Sequence, residues 1–337
     1  MNSRGMRVVS SLTPLLLMVL TMFVSQAFAQ IYHVKDMNTE QIRALDRDKT
    51  VVLLPGGILE QHGPYLPSFT DGYANERLTQ ELANAIVERP GWQVLVFPLI
   101  PLGAGGANEI GSKYSFSGTY AVRFATLRAV FMDLATELGE QSFRWVFVVH
   151  AHGAPNHNRA LDQAGEYFHD SYRGHMVNLT GLMPAREARA ESAQQLMSEE
   201  ARQEEGFAVH ASMSETSRLL FLRPDLVHPA YKQAPPHTGR TMDDLIPIAK
   251  AEHWPGYFGS PRLASAAFGA TTWKQFSARF VEVALKILDG FDYRQIKRLG
   301  DVTRTIPANV AIDKAALEHD QAIQRKQQEW LKNKGLE

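Results

Sequence analysis

A chain of 337 residues that is 45% hydrophobic and 21% charged can form one large globular domain or two small ones. Its formal net charge of −1, with no concentrated basic run, implies no polyelectrolyte partner, so nucleic-acid binding is not expected. It has no cysteine, which rules out disulfides and lipid attachment through an N-terminal thiol.

The first 29 residues place Arg4 and Arg7 ahead of an apolar run that closes on Ala27-Phe28-Ala29. That is the order of a secretory signal peptide, with cleavage expected after Ala29. The apolar run is shorter than the roughly 20 residues that span a bilayer comfortably. A periplasmic or secreted protein without stable membrane insertion is therefore expected, with an uncleaved N-terminal anchor as the alternative.

TEQIRALDRDKT then reads as a short helix with Ile42 and Leu45 three apart. VVLLPGG is a continuous apolar run bounded by Pro and Gly, which suits a fully buried strand. DGYANERLTQELANAIVERP carries Leu78, Leu82, Ile86 and Val87 at helical spacing and stops at Pro90. WQVLVFPLIPLG is a second strand and YAVRFATLRAVFMDLATELGEQS a second long helix, with Phe124, Leu127, Phe131 and Leu134 on one stripe. RWVFVVHAHG gives a third strand and HNRALDQAGEYFHDSY a third helix. Strands alternating with helices at this spacing predict βαβ units: an α/β fold whose mainly parallel sheet is flanked by helices on both faces. The charged stretch at 185–206 reads as a helix or flap, and the last forty or so residues, about 296–337, as a solvated helical extension.

In such sheets, sites lie beyond the carboxyl ends of the strands. Two polar clusters fall on that edge. LEQHGPYLPSFTD follows the VVLL strand and holds Glu60, His62 and Asp71 in a chain stiffened by Pro64 and Pro67. Glu60 and His62, two apart in extended chain, share a face. One imidazole with two carboxylates suits Zn²⁺, Mn²⁺ or Fe²⁺ better than Ca²⁺, which prefers oxygen alone. HAHGAPNHN follows the WVFVV strand; His152, before the turn at Gly153, is the better ligand candidate. His150 reads equally well as a buried, hydrogen-bonded histidine, and His157 as a helix-start residue. A third cluster, HASMSETS, offers His210 and Glu215, a histidine for proton transfer and a further carboxylate ligand of a two-metal hydrolase.

Together these residues resemble the creatininase (creatinine amidohydrolase) family. GGILEQHGPYLPSFTD resembles its G-S-x-E-Q-H-G-P-H-L-P-x-x-T-D signature, HAHGAPN its N-G-H-G-G-N turn, and HASMSETS its H-A-G-x-x-E-T-S. FSGT at 116–119 and GSPRLASAAFG at 259–269 resemble two further motifs in the same order. The resemblance covers about 38–290 and implies a metallohydrolase domain over 30–295 that cleaves C–N bonds, often in cyclic amides, through a hydroxide activated by two divalent ions. It implies Glu60, His62, Asp71 and His152 as metal ligands with Asp71 bridging, and His210 as a catalytic histidine. Glu215 is implied at the metals, in ligand and catalytic roles, and Gly118, Thr119 and Gly153 at the substrate. A homo-oligomer acting on a small amide is also implied. His150 replaces the turn's Asn, Pro155 adds a residue, Ser212 replaces Gly, and Ala154 stands where creatinine-cleaving members carry a ligating Glu. These departures bear on the substrate, and creatinine is expected to be a poor one. A peptidase, formamide hydrolase or lactonase on the same centre, or a non-catalytic binding protein, are the alternatives.

Overall fold

Every side chain from Thr50 to Pro55 is buried, and this run is the central strand of the protein. The computed structural model describes residues 30–182, 193 and 195–336. Residues 1–29, expected to be a signal peptide, and residues 183–192 and 194 of the charged stretch lie outside the described residues. Strands β1 (Ile31–His33), β2 (Thr50–Pro55), β3 (Gln93–Val96), β4 (Trp145–Val149) and β5 (His175–Asn178) form a five-stranded sheet in the order β1-β3-β2-β4-β5, every pair parallel. The helices are α1 (Thr39–Arg43), α2 (Thr70–Val87), α3 (Phe124–Glu140), α4 (Pro155–Tyr172), α5 (Glu199–Glu205), α6 (Met213–Leu222), α7 (Met242–Lys250), α8 (Ala266–Leu288), α9 (Leu299–Thr303) and α10 (Pro307–Lys334).

The alternation of side chains along a strand sorts the core into two layers. Val51 and Leu53 of β2 face Leu78, Leu82 and Ile86 of α2 and Phe276, Phe280 and Ile287 of α8. Val52 and Leu54 face Leu127 and Phe131 of α3 and Leu161 and Phe168 of α4. Both faces are covered, which is why β2 reads as continuous apolar sequence rather than as alternation. Each of these apolar side chains contributes about 1.5–3 kcal/mol by leaving water.

Strand β2 has β3 on one side and β4 on the other, and α2 and α3 lie on opposite faces. The chain therefore changes direction across the sheet at β2, and a crevice opens beyond the carboxyl ends of β2 and β4.

Three elements carry no clear signal in the sequence. Strands β1 and β5 are short and contain polar residues, and α8, which covers one face together with α2, begins inside the GSPRLASAAFG motif. Helix α10 differs from a solvated extension in its first half. Ala308, Asn309, Asp313 and Ala316 are buried there, and Asp320 accepts the Phe124 N–H at the start of α3 (2.8 Å). Trp330, further along, is exposed.

Candidate metal centre

Beyond β2 the chain runs through Gly56, where a Cβ would collide with the His150 imidazole at 2.0 Å. Glycine lets the strand exit pass against that ring. The Glu60 N–H then donates to the Ser68 carbonyl (2.8 Å), closing the loop that holds Glu60 and His62. Asp71 is not in that loop but in the first turn of α2, where a carboxylate is favoured by the helix dipole. His152 follows β4, and His210 and Glu215 arrive from the turn before α6 and from its first turn.

All six side chains converge. Three groups have ligand atoms within 4.8 Å of one another: Glu60, Asp71 and His152; His62, Asp71 and Glu215; Glu60, His62 and His210. The first two share Asp71. His152 Nδ1 lies 3.1 Å from Asp71 Oδ2 and 3.2 Å from Glu60 Oε2. His62 Nε2 lies 3.7 Å from Glu215 Oε2 and 3.9 Å from Asp71 Oδ1.

The backbone selects the tautomer of each imidazole. His62 Nδ1–H donates to the Glu60 carbonyl (2.9 Å), His152 Nε2–H to the Gly105 carbonyl (2.9 Å), and His210 Nε2–H to the Gln61 carbonyl (2.6 Å). The opposite nitrogen of each ring keeps its lone pair and faces the carboxylates, which is how metal-ligating histidines are oriented. Glu60 Oε2 and His62 Nε2 are buried without a hydrogen-bond partner, a cost that a cation between them would remove. The donor set of imidazoles and carboxylates fits Zn²⁺ or Mn²⁺.

The electrostatics agree. Burial alone would raise the Glu60 carboxyl, but His210, His152 and His62 outweigh it and hold it at about 2. Asp71 is likewise depressed: burial opposes, and His152, His62 and Arg218 prevail. Burial would lower His152, yet Glu60 and Asp71 raise it well above its ordinary value. The two carboxylates favour a positive charge at Nδ1, where a metal ion and a proton would compete for the same lone pair. His210 is lowered, chiefly by burial, and so stays neutral.

The other sequence candidates sit around this cluster. The Gln61 N–H donates to Thr119 Oγ1 (3.2 Å), which in turn donates to Asn108 Oδ1 (3.0 Å). Gly118, at φ +93°, packs where a Cβ would meet Ser68 Oγ at 2.8 Å. Both therefore brace the Glu60–His62 loop directly. Gly153 is exposed beside buried His152. Ala154 touches the Gly105 backbone, and its methyl lies 2.8 Å from where a Cβ on Gly105 would sit. His150 and His157 pair behind the centre (3.2 Å), where burial pushes His150 down to about 3.

Two supporting asparagines escaped the sequence reading. Asn75, one helical turn after Asp71, donates to the Gly56 carbonyl and accepts the Ala151 N–H (2.7 Å), tying the exits of β2 and β4 together. Asn158 donates to the carbonyls of His152 (3.0 Å) and Ala154 (2.9 Å). A polar residue at i+4 from a buried carboxylate, on the helix face turned to the sheet, is the signal that marks Asn75.

A family model described as creatinine amidohydrolase matches residues 35–284. The mycofactocin precursor peptide peptidase of Mycobacterium ulcerans (strain Agy99) is 30% identical over 186 residues, 52% of this chain and 60% of that protein. Its counterpart from Mycolicibacterium smegmatis (strain ATCC 700084 / mc(2)155) is 31% identical over 121 residues, 35% of this chain and 45% of that protein. The chain thus spans about half the length of these curated relatives. Two solved structures share the fold. One, titled "Creatininase Mn", has a TM-score of 0.56 at 22% identity, covering 78% of this chain and all of that one (100%). A crystal structure of creatinine amidohydrolase also gives 0.56 at 22% identity, covering 76% and 97%.

Proposed function

The chain belongs to the creatininase family of metal-dependent amidohydrolases, and from that premise we propose that it hydrolyses the C–N bond of an amide at a two-metal centre. The observation that carries the reading is the pair of ligand groups sharing Asp71: Glu60, Asp71 and His152 on one side, His62, Asp71 and Glu215 on the other. Five side chains exceed what one tetrahedral ion needs. Bound there, divalent ions would polarise the scissile carbonyl and acidify the attacking water.

The protein's own groups do the rest. The Glu60, Gly105 and Gln61 carbonyls fix which nitrogen of each imidazole faces the site. His210, neutral and tethered through Nε2–H, presents Nδ1 3.7 Å from Glu60 Oε1. It is placed to take a proton and return it to the leaving nitrogen. A non-catalytic binding protein would have no use for that tethered base.

The substrate reading moves towards acyclic amides. The relatives of about 30% identity are named as peptide peptidases, and the family's creatinine-cleaving members carry a carboxylate where Ala154 stands. A peptide or N-acyl amide fits these observations better than creatinine. We further propose export, supported by Arg4, Arg7 and the apolar run ending at Ala29, and assembly into a homo-oligomer, supported by the family resemblance.

The test begins with metal-free protein reconstituted with Zn²⁺ or Mn²⁺. Elemental analysis should give about two ions per chain. The loaded protein should cleave short peptides or N-acyl amides faster than creatinine. His210→Ala should keep its metal while turnover falls by roughly 10²–10⁴. One ion or none after reconstitution removes the two-metal centre. Creatinine as the best substrate removes the acyclic-amide reading.

A further inference from the structure

Arg218 lies one turn beyond Glu215 on α6 and is only 6% exposed. Its nearest carboxylate oxygen, Glu215 Oε1, is 3.9 Å away, too far for a hydrogen bond. Among the described residues its guanidinium has no hydrogen-bond partner. A guanidinium carries five N–H donors in a planar fork; none of the Arg218 nitrogens is among the fully buried, unpartnered polar atoms of the described residues, so the fork keeps contact with solvent and is open to an acceptor from outside. The charge of Arg218 helps hold the Asp71 and Glu215 carboxyls down, but Glu215 Oε1 stays beyond hydrogen-bond reach while Oε2 accepts the Ala211 N–H (2.6 Å) and faces His62, so the fork's donors remain open.

The fork stands where a ligand would reach it. The side chain of Glu215 is 15% exposed, whereas those of His62, Asp71 and Glu60 are 1–3% exposed, so the centre opens on the side of Glu215 and Arg218. Charge points the same way. Two divalent ions held by three carboxylates, Glu60, Asp71 and Glu215, would keep one net positive charge, which a hydroxide formed from the attacking water offsets. The charge of Arg218 is additional, and Ala154 supplies no carboxylate to offset it, so a loaded centre has room for one further anion.

We propose that Arg218 anchors a carboxylate of the substrate, so that the amide cleaved here belongs to an acidic molecule such as a short peptide with a free C-terminal carboxylate. The inference rests on the amidohydrolase reading and narrows it. The guanidinium fork matches a carboxylate bidentately, which lysine or a neutral side chain cannot do. Arg218 then sets specificity, while the metal ligands and His210 carry the chemistry.

The experiment uses metal-loaded protein and N-acetylated dipeptides, each as free acid and as C-terminal carboxamide. Native protein should favour the acid by about 10- to 100-fold in kcat/KM, the range of a charge-assisted hydrogen bond. In Arg218→Gln that preference should collapse towards one, through KM, with metal content unchanged. Arg218→Lys should recover only part of it. Equal losses on acid and carboxamide, or loss of metal, would assign Arg218 to structure. A preference for the acid that survives in Arg218→Gln would place the carboxylate on another group and overturn the proposal. Should no amide be cleaved, the hydrolase reading fails, and isothermal titration with the same acids and carboxamides decides Arg218 separately. Binding of the acid alone, lost in Arg218→Gln, upholds the anchor; equal binding of both forms ends it.

Discussion

At the scale of single residues, the centre depends on lone pairs held in place by backbone carbonyls, and on one carboxylate counted twice. Asp71 has one oxygen near His152 and the other near His62, so among the described residues it is the side chain shared by the two ligand groups of the proposed two-metal centre. Asp71→Asn keeps the shape and removes the charge; it should lose both ions from the reconstituted protein. His62→Ala should weaken only one, since Glu60, Asp71 and His152 remain together. Elemental analysis of the two variants reads this directly, and equal losses would deny Asp71 a bridging role. Glu60, His62 and His152 were legible in the sequence because each sits just past an apolar strand. Asp71 was legible as a residue but not as part of a helix, because Pro64 and Pro67 mark a loop without saying where it ends.

At the scale of elements, the third cluster depends on how closely α6 lies on α8. A Cβ on Gly269 would fall 1.9 Å from the Ser217 carbonyl oxygen, a backbone atom that can yield only if α6 moves. Ser265 adds to the junction, its N–H donating to Ser217 Oγ (3.1 Å). Gly269→Ala should therefore destabilise the fold by about 1–3 kcal/mol, as overpacking does. It should also weaken metal binding, because Glu215 rides on the helix that is displaced. Denaturant unfolding and Zn²⁺ titration check the two parts. Unchanged metal affinity would show that α6 shifts without carrying Glu215 from its place. The motif holding Gly269 was visible in the sequence, but its purpose is a contact between segments 52 residues apart, and no local pattern encodes that distance.

Over the whole molecule, buried acids away from the centre bear on stability. Glu205, at the end of α5, accepts the Met213 N–H (3.1 Å) and the Ser260 N–H (2.7 Å), joining α5 to the start of α6 and to the turn before α8. Burial pushes its carboxyl up to about 7, against the pull of those hydrogen bonds, from an ordinary value of 4.5. Between these values the folded protein holds a proton that the unfolded chain has released. Stability from this group is therefore full below about 4.5 and is lost as pH rises through about 7, a change of about 3 kcal/mol. Urea unfolding in a chelator, which removes the contribution of bound metal, should show the native protein losing this stability between pH 5 and pH 8. Glu205→Gln should lose less over the same interval. Identical losses would mean that Glu205 titrates normally.

The α/β class, the three central strands, their intervening helices and the candidacy of Glu60, His62 and His152 as metal ligands follow from the sequence by itself. Each depends on local physics: continuous apolar runs make buried strands, 3.6-residue stripes make helices, and turns beyond strand ends carry exposed chemistry. Tertiary structure alone decided the rest. It placed β1 and β5 at the sheet edges, where pairing with β3 and β4 outweighs weak local propensity. It brought His210, Glu215 and Arg218 to Asp71, and set Asn75 between two strand exits. Those meetings join residues far apart in the chain, and their energy comes from packing and from satisfying buried polar groups, which exist only once the chain has closed on itself.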